Sequence, residues 1–243
     1  MAQLRFLNED QLQRFDAEAF LATKPYPYWN PQGFLTDDGY RILCETMPDV
    51  SRMRESFGVP RSHGQTSHDR YSLEYREDLE IAPAWHEFVA ELRGLEYRRF
   101  LKQAFAARAV WPSFHWHYAP RGASVSPHCD AKRKLGSHIF YLNNEVDWNE
   151  EWGGQTLILD DHGRIPRESA PDYNDFDLVA QAKSVGNRSL LFARREKSWH
   201  AVRPLSCPEG MLRKVFIVVL EEPVAGATRR VIDLFTGKRS AAY

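Results

Sequence analysis

From Val110 onward the chain breaks into short apolar runs that constrain the fold more than any other feature. β-Branched and aromatic residues cluster over residues 113–118, 124–128, 137–142, 155–159, 189–192, 199–202 and 214–220. Between them stand turn signals such as Pro120-Arg121-Gly122, Gly153-Gly154 and Gly186-Asn187. Seven short strands punctuated in this way predict an antiparallel barrel or jelly roll.

The portion before Val110 has a different texture. Leu4, Leu7, Leu12, Phe15, Ala19 and Phe20 recur at helical intervals, which predicts one amphipathic helix over residues 3–21 with Asn8 or Asp10 as its cap. Prolines and aromatics force an extended path over 24–31. A helix over 37–47 follows, capped by Thr36 and stopped by Pro48. Residues 49–78 are polar and irregular. Two further helices are expected over 83–93 and 96–107, split by Gly94. The fold class expected is α+β, one domain over residues 1–243. A mainly helical portion (1–110) flanks a jelly-roll, or double-stranded β-helix, core (111–222), and a tail (223–243) forms one short helix before fraying. Residues 160–183 are polar and long for a connection, and read as a lid or irregular insertion.

Composition narrows the partners. The formal net charge is −1, so no global field points to nucleic acid or a membrane surface. The N-terminus lacks the basic start and apolar core of a signal peptide. No stretch approaches the roughly 18 apolar residues of a membrane span. The expectation is a cytoplasmic protein acting on a small-molecule or protein substrate. The sequence leaves its oligomeric state open. Cys44, Cys129 and Cys207 have no clustered spacing and read as free thiols.

Residues 114–143 hold His115, His117, His128 and His138, four of the nine histidines. Residues two apart on a strand share a side, so His128 and Asp130 can present an imidazole and a carboxylate to one point while Cys129 faces away. A divalent metal needs a third protein ligand, and His200, at the head of a late strand, is the best-placed candidate. Two histidines and one carboxylate on one face of an octahedron leave open positions, the arrangement used by non-haem Fe(II) oxygenases. A His-x-Asp alone is a weak signal. Its context strengthens it: a turn at Gly122, a strand ending Tyr141-Leu142-Asn143, Trp152-Gly153-Gly154, then His200 and Arg213.

In that order these motifs, over about residues 111–220, resemble the 2-oxoglutarate- and Fe(II)-dependent oxygenases, in particular their prolyl-hydroxylase-like branch. The resemblance implies an enzyme that couples oxidative decarboxylation of 2-oxoglutarate, giving succinate and carbon dioxide, to hydroxylation of an unactivated C–H bond of a small molecule or peptidyl substrate. Desaturation and ring closure remain as variants. It implies Fe(II) held by His128, Asp130 and His200, with 2-oxoglutarate and O2 as co-substrates and ascorbate as a candidate stimulant. Retention of Asp130 disfavours halogenation, since halogenating relatives replace that carboxylate. The distal carboxylate of 2-oxoglutarate needs a fixed cation, and guanidinium binds it bidentately. Arg213 takes that role by its position, with Lys214 as the rival because strand alternation does not separate them. Tyr141 and Tyr118 match two tyrosines of the co-substrate pocket.

Other readings compete. His115 and His117 form a His-x-His step of the kind a cupin uses, although no glutamate follows at a short distance. A metal-free jelly-roll binding module is the third class. Lys132, Arg133 and Lys134 could attract an anionic substrate but read as a solvated loop. His63, His68 and Asp69 read as surface loop, and Trp116, Trp148, Trp152 and Trp199 as packing.

Overall fold

The computed structural model describes residues 4–222. The amphipathic pattern at the start forms two helices rather than one. α1 (Glu9–Gln13) is capped by the Asn8 side chain, which accepts from the Asp10 amide, and α2 (Ala17–Ala22) by Asp16, which accepts from Ala19. Asp16 interrupts what spacing alone reads as continuous, because its carboxylate serves a helix start better than a helix interior. A two-residue strand, β1 (Tyr28–Trp29), follows in the extended stretch. α3 (Asp37–Glu45) has Thr36 as its cap, with Oγ1 accepting from the Gly39 amide.

The polar segment 49–78 was expected to be irregular, yet it contains β2 (Arg54–Ser56) and β3 (Arg70–Glu74). α4 (Pro83–Leu92) and α5 (Leu95–Phe105) meet at Gly94. The strand-rich part then runs β4 (Trp111–Pro120), β5 (Val125–His128), β6 (Lys134–Tyr141), β7 (Thr156–Asp160), β8 (Asp177–Ala182), β9 (Ser189–Ala193), β10 (His200–Val202) and β11 (Leu212–Glu221). The seven expected strands are all present. The eighth, β8, occupies the end of the segment read as an insertion. The helix expected over 223–243 lies outside the described residues.

Two antiparallel sheets result, one of seven strands ordered β1-β9-β6-β11-β4-β3-β2 and one of four ordered β5-β10-β7-β8. Strand parity decides what each face of the large sheet meets. Phe114, Trp116 and Tyr118 of β4, Phe140 of β6, and Phe216, Val218 and Leu220 of β11 join Trp85, Phe88 and Phe100 of the helices in one buried cluster. Trp85 packs 5.0 Å from Trp116 and 5.1 Å from Phe216, ring centre to ring centre. Each such side chain contributes about 1.5–3 kcal/mol on burial. The opposite face carries Ile139, Tyr141, Phe192 and Val215, which meet Ile158 of the small sheet. The architecture is a double-stranded β-helix whose helices brace the large sheet from outside, leaving the space between the sheets for a site. Cys44, Cys129 and Cys207 are free thiols.

Candidate metal centre and co-substrate pocket

Register brings the two histidines together. β10 pairs antiparallel with β5 so that His200 stands directly opposite His128, with ring centres 4.3 Å apart. β5 ends at His128, and Asp130 follows two residues on, just past the strand. The ligand atoms of His128, Asp130 and His200 all lie within 4.8 Å of one another, and among the described residues no other three His, Cys, Asp or Glu side chains converge in this way. His115 and His117 do not join such a group. His115 Nε2 lies 3.0 Å from Ser113 Oγ, so the cupin arrangement is not formed.

The hydrogen bonds around the triad fix its chemistry. His128 Nδ1 lies 3.0 Å from the Ser126 carbonyl, and His200 Nδ1 lies 3.0 Å from the Ser198 carbonyl. A carbonyl can only accept, so both Nδ1 atoms carry the proton and both Nε2 lone pairs are free for a metal. Burial pushes the basicity of both imidazoles down and keeps them neutral. Asp130 is buried, which opposes its ionisation. Lys134, which donates from Nζ to Asp130 Oδ1 at 2.6 Å, overcomes this and holds the carboxyl below the usual carboxylate range. Two neutral imidazoles and an ionised carboxylate are a donor set suited to a divalent iron. Cys129, between the ligands, packs against the cluster of Leu157, Phe176 and Trp199 on the outer side of the small sheet.

The triad opens onto a cavity of about 120 Å³ between the sheets. Val125, Ile139, Phe192, Val215 and Ile217 make its walls apolar, and Arg213 also lines it. Arg213 Nε donates to the Gly154 carbonyl at 2.6 Å, and its guanidinium lies 5.6 Å over the Tyr141 ring. Among the described residues no carboxylate pairs with it, although burial weighs on its charge. A guanidinium in an apolar interior without a counter-ion calls for an anionic ligand. Lys214 points the other way, with Nζ 3.3 Å from Asp147 Oδ2, so the geometry separates the two cations that sequence spacing left tied.

The two tyrosines fare differently. Tyr141 lies beneath Arg213, but its hydroxyl donates to Thr156 Oγ1 at 2.9 Å, and it is Thr156 rather than Tyr141 that lines the cavity. Tyr118 is a correction. His117 and Ala119 on either side of it line the cavity, so alternation along β4 turns Tyr118 to the helices, where its hydroxyl donates to the Pro48 carbonyl at 3.1 Å.

Two segments read as solvated loops help build the site. Lys134 is buried on Asp130, and Arg133 pairs with Glu221 at 2.8 Å. His68 is buried, with Nε2 3.1 Å from Ser126 Oγ and its ring 5.0 Å from His128. The i,i+4 spacing of Asp130 and Lys134 is a signal the sequence offered. The position of His68 depends on β3, which gave almost no signal. His138 is structural: its two ring nitrogens meet Tyr97 Oη at 2.9 Å and Ser189 Oγ at 3.0 Å.

Residues 114–219 match the model of the 2OG-Fe(II) oxygenase superfamily. By sequence, no curated protein matches the chain. Among solved structures, a prolyl-4-hydroxylase from Pseudomonas putida is 18% identical, with a TM-score of 0.57 over 85% of this chain and 99% of that one. A prolyl hydroxylase from Trichoplax adhaerens, solved with a hypoxia inducible factor peptide, is 14% identical, with a TM-score of 0.61 over 91% and 96%. The carbocyclase SnoK from nogalamycin biosynthesis is 11% identical, with a TM-score of 0.57 over 87% and 85%. At these identities the structural likenesses establish the fold. Family match, fold and donor set all agree with a 2-oxoglutarate- and Fe(II)-dependent oxygenase. The matched residues, 114–219, run from β4 into β11.

Proposed function

We propose that this oxygenase hydroxylates an unactivated C–H bond of a small molecule or peptidyl substrate, releasing succinate and carbon dioxide. The observation that carries the reading is a single cavity lined by two Nε2-free imidazoles, a lysine-anchored carboxylate and a guanidinium without a counter-ion. A bound Fe(II) supplies reductive activation of dioxygen coupled to oxidative decarboxylation of 2-oxoglutarate.

The chain's own residues do the rest. His128 and His200 offer Nε2, held in orientation by the Ser126 and Ser198 carbonyls. Lys134 engages Asp130 Oδ1 and holds the carboxylate ionised, as the third donor a metal would need. Arg213 takes the distal carboxylate of 2-oxoglutarate, with Thr156 as a hydroxyl donor beside it and Tyr141 positioning both. Val125, Ile139, Val215 and Ile217 exclude water from the reacting end. The two sheets share one interior, which supports reading the chain as a single catalytic domain. No helix of the described residues is long and apolar enough to cross a membrane, and we place the enzyme in the cytoplasm.

Succinate release over a panel of small molecules and peptides tests the reading. Release should rise with at least one substrate and vanish in His200→Ala and Asp130→Ala. Release that persists in both variants would rule the assignment out.

A further inference from the structure

We propose that the primary substrate is a small molecule bearing an anionic group, a carboxylate or a phosphate monoester, gripped by Arg61 and Arg167 at the mouth of the metal centre. The inference rests on the oxygenase reading above and adds the substrate class.

A second cleft, of about 600 Å³, meets the first at His128, Asp130, His68 and Lys134. Its wall holds six cationic side chains, Arg61, Arg70, Lys132, Arg133, Lys134 and Arg167, against the two carboxylates of Asp130 and Glu168. Lys134 is held by Asp130, Arg133 by Glu221, and Arg70 donates to the His68 carbonyl at 3.0 Å. Arg61, Lys132 and Arg167 make no ion pair among the described residues. Arg61 is half-buried, and its side-chain contact is a long one, 3.5 Å to Gln65 Oε1. Desolvation already weakens its hold on its proton, with Asp130 opposing that effect. Beyond Lys132 and Arg167 an adjoining hollow adds Arg194 and Arg195 against one carboxylate, Glu196. The whole chain carries a net charge of −1, so this concentration of cations is local to the metal centre.

The cleft is well placed for a substrate. Arg167 donates to the backbone carbonyl of Asp130, so an anion on its guanidinium lies within a few ångströms of the triad. Arg213 serves the 2-oxoglutarate carboxylate in the other cavity, which leaves this group of cations for a different anion. Its size suits a small molecule. Gln65, on the cleft wall, donates from Nε2 to the Ser169 carbonyl at 3.1 Å, tying the segment 56–70 to the loop 161–170.

The test uses the anaerobic protein loaded with Fe(II) and saturating 2-oxoglutarate, titrated calorimetrically with phenyl phosphate, phenylacetate and neutral 2-phenylethanol. We expect saturable binding of at least one anion and none of the alcohol. The preferred anion identifies phosphate or carboxylate. Affinity should fall at least about tenfold in Arg61→Gln and in Arg167→Gln, recover in Arg61→Lys, and weaken as salt rises from about 50 to about 500 mM. The visible charge-transfer band of the loaded protein separates two kinds of failure. No band in the wild type overturns the oxygenase reading. A band without anion binding, with equal binding of the alcohol, or with unchanged affinity in both glutamine variants overturns the substrate class alone. Tighter binding of a glutamate-rich peptide than of either small anion also overturns it, in favour of a peptide.

Discussion

Arg213 and Lys214 are adjacent cations of similar hydropathy, and only the direction of each side chain separates them. Arg213 faces the cavity without a counter-ion, while Lys214 sits in a partly exposed pair with Asp147. Arg213→Ala should raise the KM for 2-oxoglutarate about ten- to a hundredfold, the value of a charge-assisted contact, with little change in the Fe(II) requirement. Lys214→Ala should change it by less than about threefold, as expected of an exposed ion pair. Steady-state kinetics on both variants checks this, and a larger effect at Lys214 would reverse the assignment. His138 allows a pH test away from the site. Burial pushes its pKa down to about 3, whereas the unfolded chain binds the proton near 6.5. The unfolded state therefore holds more protons between those values. The contribution of His138 is complete above about pH 6.5 and is lost as pH falls toward 3. Urea-unfolding midpoints should drop over that window, and drop less steeply in His138→Gln. An identical slope in the variant would contradict the account.

At the scale of elements, β6 is clamped between β9 and β11, and Gly136 makes the fit possible. A Cβ there would collide with the Phe192 carbonyl oxygen and stand 2.6 Å from Phe105 Cε1. Gly136→Ala should cost about 1–3 kcal/mol and lower the Tm by several degrees. An unchanged Tm would show that the sheet yields there. The same elements explain what the sequence made legible. β4, β6, β9 and β11 are buried on one or both faces, so apolar and β-branched residues mark them plainly. β2 and β3 are polar strands at the edge of the large sheet, and β8 is a mostly exposed edge of the small one, so little hydrophobic pattern betrays them. His128, Asp130 and His200 were readable because their chemistry and order are distinctive. Tyr118 stands on the opposite face of β4 from the cavity-lining His117 and Ala119, a difference of strand parity that a motif match does not carry. Thr156, His68, Arg61 and Arg167 reach the site through cross-strand and loop contacts that one-dimensional spacing does not encode.

At the scale of the whole molecule, the division of labour follows from two unequal sheets. The large one, braced by helices, contributes Arg213 and the apolar walls, and the small one contributes His128 and His200 across a single register. Asp130, just beyond β5, completes the triad, and the loops after β2 and β7 are joined by the Gln65–Ser169 hydrogen bond. The central claim is that His128, Asp130 and His200, and not the His115–His117 pair, hold the iron to which 2-oxoglutarate binds. Anaerobic titration with Fe(II) and 2-oxoglutarate, read as the visible charge-transfer band, tests this most directly. The band should form in the wild type and in His115→Ala and disappear in His128→Ala; a band that survives His128→Ala, or that is lost in His115→Ala alone, would contradict it.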